Sequence, residues 1–471
     1  MRRAKIVSTL GPAVHSLERI RQLIAAGMDV ARINRSHGSH AEHAQQIGWV
    51  RQAADEASRP VGVLVDLQGP KIRTGRFGAG PVLLTRGDRF TITTLDVPGD
   101  RERVSTTFGG LPRDVAVGDR MMLDDGRLEL RAVDVTTTDV VTEVVVGGTL
   151  SNNKGINLPG VAVNVPALSV KDENDLRWAI EQNADWIALS FVRDAADIER
   201  VHEIMDEAGR RLPVLAKIEK PQAVTHLVEI VRAFDGIMVA RGDLGVEMPL
   251  EEVPLVQKRA VSMARREAKP VIVATQVLES MIENPRPTRA EASDCANAVL
   301  DGADALMLSG ETSIGAWPVQ AVQTMHRIIE RTEEHGLGRI SLLGTRPTTP
   351  GGAVTAAAAE IGEQLHAKYL VTLTTSGESA GRMARVRPRL PIVAFSSHLA
   401  TVRRLTLTWG VLPHLLGLVE DPELLVGGVD EGLMAQGWCQ PGDLVVIVAG
   451  QPLGVAGTTN TLQVHIVGEA V

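Results

Sequence analysis

The chain has 471 residues, a formal net charge of −8 and 44% hydrophobic residues, which is too long for one ordinary core and predicts two to four domains. Its mean hydropathy is near zero, and no apolar run approaches the roughly eighteen residues of a membrane span. The acidic balance, with six Phe, six Trp and one Tyr, argues against nucleic acid as a partner.

The opening MRRAKIVSTLGP is basic, but Ser8, Gly11 and Pro12 interrupt the apolar segment before it can form a signal core. A cytoplasmic protein without membrane attachment is the expectation. Cys295 and Cys439 stand far apart with no CxxC or CxxH companion, which excludes a disulfide framework and a zinc ribbon.

Eight short β-branched runs then follow: 5–11, 30–34, 61–66, 186–192, 214–219, 236–243, 271–276 and 305–312. Between most of them lie segments with apolar residues at helical spacing, such as Leu17, Ile20 and Ile24 after the first. Alternating strands and helices predict parallel βα units, and eight of them predict a (β/α)8 barrel formed by residues 1–69 and 167–335. Residues 70–166 interrupt this pattern. They are rich in Gly, Thr and Val, with alternating segments such as RFTITTL and RMMLDDGRLEL, and predict an inserted all-β lid domain. Its ends, QGPKIRTG and NLPGVAVNVP, carry prolines where hinges are expected. A loop-like linker over 334–352 leads to a C-terminal α/β domain, 336–471, with strand patterns in YLVTLTT, LPIVAFS, DLVVIVAG and TLQVHIV.

Active sites of such barrels form at the carboxyl ends of the strands. Here those ends present Thr9; Arg32, Asn34 and Ser36; Asp66; Ser190; Lys217 and Glu219; Arg241 and Asp243; Thr275; and Ser309 with Glu311. Lys217 and Glu219 point to one side of their strand because side chains repeat every two residues. Such a pair is a buried ion pair or an anion and metal site. Asp243, from the next strand end, favours the second: two carboxylates hold Mg2+ or Mn2+, which takes few protein oxygens. Gly242 allows backbone N–H groups to approach an oxyanion, and Arg241-Gly242-Asp243 as an adhesion tripeptide is a chance match. His37, His40 and His43, three apart, lack a further ligand in register and are expected to be solvated histidines at a helix start. Neither a Walker A motif nor a GxGxxG after a strand occurs. In the C-terminal part, TLTTSGESA (372–380) sets hydroxyls and a glycine at a helix start, the layout of a phosphate nest or of a capped loop without ligand.

These residues, with VSTLGPA, GMDVARINRSHG, DLQGPKIRTG, SNNKGINLPG, AKIEKP, IMVARGDLGVE, VIVATQVLESM, NPRPTRAEASDCANAVLDGADALMLSGET and GVAGTTNT, make the chain closely similar to the pyruvate kinases over essentially its whole length. The resemblance implies phosphoryl transfer from phosphoenolpyruvate to ADP, giving pyruvate and ATP, in a homotetramer. It implies that Glu219 and Asp243 hold Mg2+ or Mn2+, that Arg32 and Lys217 neutralise the transferring group, and that Gly242, Asp243 and Thr275 contact the substrate. Thr275 and Ser309, with Glu311, become candidates for protonating the enolate. Asn34, His37, Arg73 and Lys154 match nucleotide contacts. Asn34, Ser36, Asp66 and the carbonyl of Leu67 fall where many relatives bind K+; Lys71 stands where those relatives carry glutamate, and an ammonium there can replace the K+ charge. Thr374, Thr375, Ser376, Gly377 and Ser379 match an allosteric phosphate site. Glu378 within that loop, and a GQPLGVAG segment without Arg or Lys, favour AMP or a sugar monophosphate over fructose 1,6-bisphosphate. A metal-dependent barrel aldolase or lyase is the rival enzyme, but it has no use for Arg73 and Lys154. A catalytically dead sensor would have lost Lys217, Glu219 or Asp243, and none is lost.

Overall fold

The computed structural model describes residues 2–161, 163, 166–417, 422–452, 455 and 457–469. Eight parallel strands close a barrel: Lys5–Thr9, Val30–Asn34, Gly62–Asp66, Trp186–Leu189, Val214–Ile218, Gly236–Ala240, Val271–Ala274 and Ala305–Leu308. Numbered along the chain, they follow the spatial order 1-8-7-6-5-4-3-2. All eight expected runs are strands. Seven of the eight are almost wholly buried on both faces and so read as continuous apolar runs rather than alternating ones. Inside the barrel, Val7, Val30, Leu64, Leu215, Met238, Ile272 and Met307 form a packed core, and a larger core lies between the strands and the outer helices.

The helices start and stop where local chemistry dictates. Leu17–Ala26 is capped by Ser16, whose side chain accepts from the Arg19 N–H, and turns its buried Ile20, Leu23 and Ile24 to the barrel. It ends at Gly27, whose φ of +123° favours glycine and where an added Cβ would lie 2.6 Å from His326 Nδ1.

Strand ends differ from the sequence pattern. The sixth strand stops at Ala240, and Arg241–Glu247 is a short helix, so Gly242 and Asp243 lie in its first turn rather than on the strand. The seventh stops at Ala274 because Thr275 and Gln276 take φ of +65° and +54°, which no strand accommodates. Apolar periodicity carries no signal for such reversals.

Between the third and fourth barrel strands, the chain builds a six-stranded, mostly antiparallel sheet and a two-stranded one. RMMLDDGRLEL forms the hairpin Arg120–Leu123 and Leu128–Val135, turned by Asp124, Asp125 and Gly126, all at positive φ. These sheets enclose their own core around Phe90, Ile92, Leu123 and Leu130. Part of the expected hinge NLPGVAVNVP, namely Ala162, Asn164 and Val165, lies outside the described residues.

The C-terminal sheet has five strands in the order Val411–Leu415, Ile392–Ser396, Tyr369–Leu373, Leu444–Gly450 and Thr459–Ile466, with the last antiparallel. Val411–Leu415 is absent from the sequence reading because Pro413 interrupts it. As an edge strand it tolerates a proline that a central strand would exclude. Among the described residues no helix is long and apolar enough to cross a membrane.

This C-terminal unit docks on the amino end of the barrel. Leu407, fully buried, packs with Val7, Leu64, Trp186 and Met238 inside the barrel mouth at that end. Around it, Trp409 N donates to Asp304 Oδ1 (3.1 Å), Arg387 pairs with Asp304 Oδ2 (3.0 Å), and Lys5 Nζ donates to the Val411 carbonyl (2.7 Å). Burial brings the Lys5 ammonium down to about 8. Leu407→Ala leaves a cavity that these walls cannot collapse into. The variant is expected to lose about 2–5 kcal/mol of stability, read as a lower urea unfolding midpoint.

Candidate active site

At the carboxyl end of the barrel a connected set of charges lies buried. Asp66, 1% exposed at the end of the third strand, accepts from Arg32 Nε (2.7 Å) on one side and lies 3.3 Å from Lys217 Nζ on the other. Lys217 Nζ is also 2.8 Å from Glu219 Oε1 and donates to Ser190 Oγ at 2.8 Å. Ser190 Oγ donates onward to the Leu67 carbonyl (2.7 Å), and Arg32 Nη1 donates to Thr9 Oγ1 (3.0 Å). Five strand ends thus converge through adjacent registers, Arg32 against Leu64 and Asn34 against Asp66. Thr9 and Ser190 stand among the strand-end residues that the sequence offers, but only the geometry shows that they aim the two cations.

The pKa directions follow from this packing. Burial alone would raise Asp66, but Lys217 and Arg32 outweigh it and hold the carboxyl below the usual aspartate range. Burial would likewise lower Lys217, yet Asp66, Glu219 and Asp243 together keep the ammonium protonated well above the ordinary lysine range. Glu219 is pushed up by burial and by the like charge of Asp243, against the pull of Lys217. One of its oxygens accepts from Phe191 N (2.8 Å), and the other, Oε1, faces the Lys217 ammonium at 2.8 Å. Two carboxylates that repel each other, one buried and one half-buried, fit a hard divalent cation, which would relieve their repulsion.

Beside this cluster, Thr275 Oγ1 accepts from Gly242 N (2.7 Å) and donates to the Ala274 carbonyl (2.7 Å). The left-handed φ of this β-branched residue costs on the order of 1–3 kcal/mol. Arg241 holds it there: Nη2 donates to the carbonyls of Thr275 (2.9 Å) and Gln276 (3.1 Å), while Nη1 pairs with Asp294 (2.7 Å). Asp294 went unnoticed in the sequence because it lies in a helix far along the chain. Ser309 Oγ is buried with no partner, whereas Ser309 N donates to Glu311 Oε2 (2.7 Å) and burial raises the Glu311 carboxyl.

The remaining residues are distributed more widely. Asn34 Oδ1 accepts from Ser36 N (3.1 Å), and His37 is exposed beside them. Lys71 does not pair with Asp66. Its Nζ lies 3.5 Å from Asp125 in the inserted domain, because Gly69 (φ +73°) turns the chain and its N–H is fixed by Asp172 Oδ1 at 3.0 Å. Lys154 Nζ is 2.8 Å from Asp124, and Arg73 Nη1 donates to the Asn153 carbonyl (2.9 Å). The insert is tied to the barrel through Glu247, whose Oε1 accepts from Asn157 Nδ2 (2.7 Å) and Lys220 Nζ (2.6 Å).

The three histidines are not uniformly solvated. His43 is buried against Arg35, and His40 stacks on Trp178 (4.9 Å) with Nε2 2.7 Å from Asp175. The capped helix His40–Glu56 turns His43 inward and lays the half-exposed His40 on Trp178, which a spacing of three does not reveal. In the C-terminal loop, Thr374 Oγ1 accepts from Gly377 N (2.9 Å), Ser376 Oγ from Glu378 N (3.4 Å), and Ser379 Oγ pairs with Thr459 Oγ1 (2.6 Å). Thr375 offers its carbonyl to Thr401 Oγ1 (2.7 Å). Leu453, Gly454 and Ala456 of the GQPLGVAG segment lie outside the described residues.

A family model described as pyruvate kinase, barrel domain, matches residues 1–322, and one described as pyruvate kinase, alpha/beta domain, matches 352–465. The chain belongs to the pyruvate kinase family. A pyruvate kinase of Corynebacterium glutamicum is 55% identical over 468 residues, covering 99% of this chain and 98% of the relative. One of Mycobacterium tuberculosis is 53% identical, with 99% of each chain covered. The crystal structure of a pyruvate kinase from Cryptosporidium parvum superposes with a TM-score of 0.92 at 34% identity, covering 99% of this chain and 96% of that one. Membership makes the chain a phosphotransferase, and the (β/α)8 barrel with a C-terminal α/β unit is the family's architecture.

Burial, then Arg35, pull His43 down to about 4. The unfolded chain therefore takes up this proton first as pH falls below about 6.5. The contribution is whole above that pH and declines towards 4. His43→Gln is expected to flatten this part of a plot of urea midpoint against pH.

Proposed function

We propose that the barrel mouth catalyses transfer of the phosphoryl group from phosphoenolpyruvate to ADP. The bond between phosphorus and the enol oxygen breaks, one to a terminal ADP oxygen forms, and the pyruvate enolate left behind takes up a proton. The observation that carries this reading is the buried group of Arg32, Lys217 and Glu219 around Asp66, in a chain of the pyruvate kinase family. Phosphoryl transfer needs positioning and charge compensation more than covalent help. Arg32 and Lys217 supply positive charge already oriented by Asp66, Thr9 and Ser190, so little reorganisation remains at the moment of reaction.

Glu219 and Asp243 would hold Mg2+ or Mn2+; when bound, the ion supplies Lewis-acid compensation for charge on the phosphoryl and enolate oxygens. Gly242 and Thr275 would bind the substrate carboxylate, with Asp243 beside them. Thr275 and Ser309 are the candidate proton donors to the enolate: the Ser309 hydroxyl is uncommitted, whereas Thr275 must release the Ala274 carbonyl. Asn34, His37, Arg73 and Lys154 would meet the nucleotide, with Lys154 exchanging Asp124 for phosphate as the inserted domain closes and excludes water.

K+ independence is part of the proposal. The oxygens at the monovalent-ion position already have protein donors: Leu67 from Ser190, Asn34 from Ser36, and Asp66 from Arg32 and Lys217. Lys71 would add charge on leaving Asp125. A homotetramer, and activation by AMP or a sugar monophosphate bound at Thr374, Thr375, Ser376, Gly377 and Ser379, complete the reading.

A lactate dehydrogenase-coupled assay should show pyruvate formation that needs both ADP and Mg2+ or Mn2+; no ADP-dependent signal would defeat the proposal. Lys217→Met is expected to remove turnover, a loss of about a hundredfold or more for one preorganised donor, while phosphoenolpyruvate still binds. Omitting K+ should leave the parent's rate unchanged, and Lys71→Glu should make it rise with added K+. A variant indifferent to K+ would remove Lys71 from that role.

A further inference from the structure

The helix Val170–Glu181 lies where the chain comes back from the inserted sheets, just before the fourth barrel strand. Its first two turns carry Asp172 and Asp175, three apart and so on one face, and they are 0% and 1% exposed. Neither belongs to the charge cluster around Asp66. A buried carboxylate persists only where donors take up its oxygens, and the donors here come from two segments that reach the active site.

Asp172 closes a capping box with Ser169: its Oδ2 accepts from Ser169 N (3.0 Å) and from the Ser169 hydroxyl. Capping needs one oxygen. In the capping box of His40–Glu56, the exposed Glu42 serves Ser39 with a single oxygen. The second oxygen of Asp172 is committed as well, since Oδ1 accepts from Gly69 N (3.0 Å). Gly69 is where the chain leaves the barrel for the insert and Ser169 is where it returns, so one carboxylate binds both crossings. The outgoing crossing has no slack: Gly69 stands at φ +73°, and an added Cβ there would lie 2.6 Å from Phe191 Cδ2 and 2.7 Å from Ser190 Cβ. Beyond it, Arg73 and Lys154 sit on adjoining segments, with Thr74 N donating to the Lys154 carbonyl (2.8 Å) and Lys154 N to Thr74 Oγ1 (2.9 Å). Asp175 holds the loop after the second barrel strand at both ends. Its Oδ1 takes Arg35 Nη2 (3.0 Å) and His40 Nε2 (2.7 Å), and its Oδ2 takes Lys171 Nζ (2.6 Å), which also donates to the Arg35 carbonyl (2.6 Å). Burial would raise Asp175, but Lys171, Arg35 and His40 outweigh it and keep the carboxyl below the usual aspartate range. Arg35 N donates to the Asp66 carbonyl (2.9 Å), so the loop that carries Ser36 and His37 starts directly from the catalytic cluster.

We propose that Asp172 and Asp175 are positioning residues for ADP, an assignment that rests on reading Asn34, His37, Arg73 and Lys154 as its contacts. Arg73 and Lys154 ride on the insert, whereas Asn34 and His37 belong to the barrel. Both carriers are tied to the start of one helix, the insert through Gly69 and Ser169, the barrel loop through Arg35 and His40. The two carboxylates thereby set where one pair of contacts stands relative to the other, and a rigid second layer of this kind is what keeps a binding constellation within its productive geometry. Among the described residues neither aspartate bonds to Arg32, Lys217 or Thr275. Loosening them would therefore change how ADP is met and leave the holding of phosphoenolpyruvate as it is.

Initial rates of the full-length enzyme, with ADP and phosphoenolpyruvate varied in turn, test this together with hydrogen exchange read by mass spectrometry. Asp172→Asn keeps the shape but turns one acceptor into a donor, so either Gly69 or Ser169 loses its partner. It is expected to raise KM for ADP by about fivefold or more, to leave KM for phosphoenolpyruvate unchanged, and to speed deuterium uptake over residues 67–75. Lys171→Gln, at a half-exposed side chain, removes the tie to the Arg35 carbonyl. It should raise KM for ADP with faster uptake over 34–40, and it covers the event that the buried variant does not fold. A role in folding alone would lower the melting temperature and leave both KM values where they were; that result, or a joint rise in both, would overturn the proposal. Lys154→Gln distinguishes the two layers of inference. If it raises KM for ADP and the helix variants do not, the positioning role falls alone; if it leaves KM for ADP unchanged, the nucleotide reading falls and the positioning role with it.

Discussion

A carboxylate sealed from water at the end of the third barrel strand organises the catalytic end of this molecule. Asp66 can remain ionised there only if opposite charge is brought to it, and that charge comes from two other strands, Arg32 and Lys217. The register of both strands is thereby constrained. A slip of one residue in either strand would turn its cation outward and leave Asp66 with only one partner. In the proposed reaction those same two cations would compensate the charge of the transferring phosphoryl group, so the residue that stabilises the barrel mouth also decides how its cations point. Ser190 and Thr9 fix the remaining freedom from two further strands.

The second constraint is conformational. Thr275 sits in a backbone region that β-branched residues avoid, and Arg241 keeps it there by binding the two carbonyls that the turn exposes, with Asp294 anchoring the guanidinium from a distant helix. The strained turn presents the Thr275 hydroxyl to Gly242 N, so two neighbouring loops share one geometry. Strain at one residue is balanced by an ion pair that itself touches none of the buried carboxylates of the mouth.

The barrel was legible in the sequence because its strands are buried on both faces and its helices on one, which produces apolar runs at two recognisable periods. Lys217 and Glu219 were legible as a pair for the same reason, since alternation along a strand fixes which residues share a side. Closeness in sequence does not give closeness in space where a turn intervenes: Asp66 and Lys71 are five residues apart, yet Gly69 sends the lysine to Asp125. His43 looked like a solvated residue because spacing says nothing about which face of its helix meets Arg35 and Trp178. Pro413 concealed an edge strand, because a proline inside a short apolar run reads as a break.

The position of Leu407 bears on how this chain could be divided. The barrel's amino end is not finished by barrel residues; its last apolar layer is completed by a side chain from beyond the 334–352 linker. Scission of that linker would therefore not release two tidy halves. It would leave the first with an open socket walled by Val7, Leu64 and Met238, and a surface of that kind sticks to whatever apolar chain it meets. The C-terminal unit is in this sense the stopper of the barrel, and the two share a single integrity.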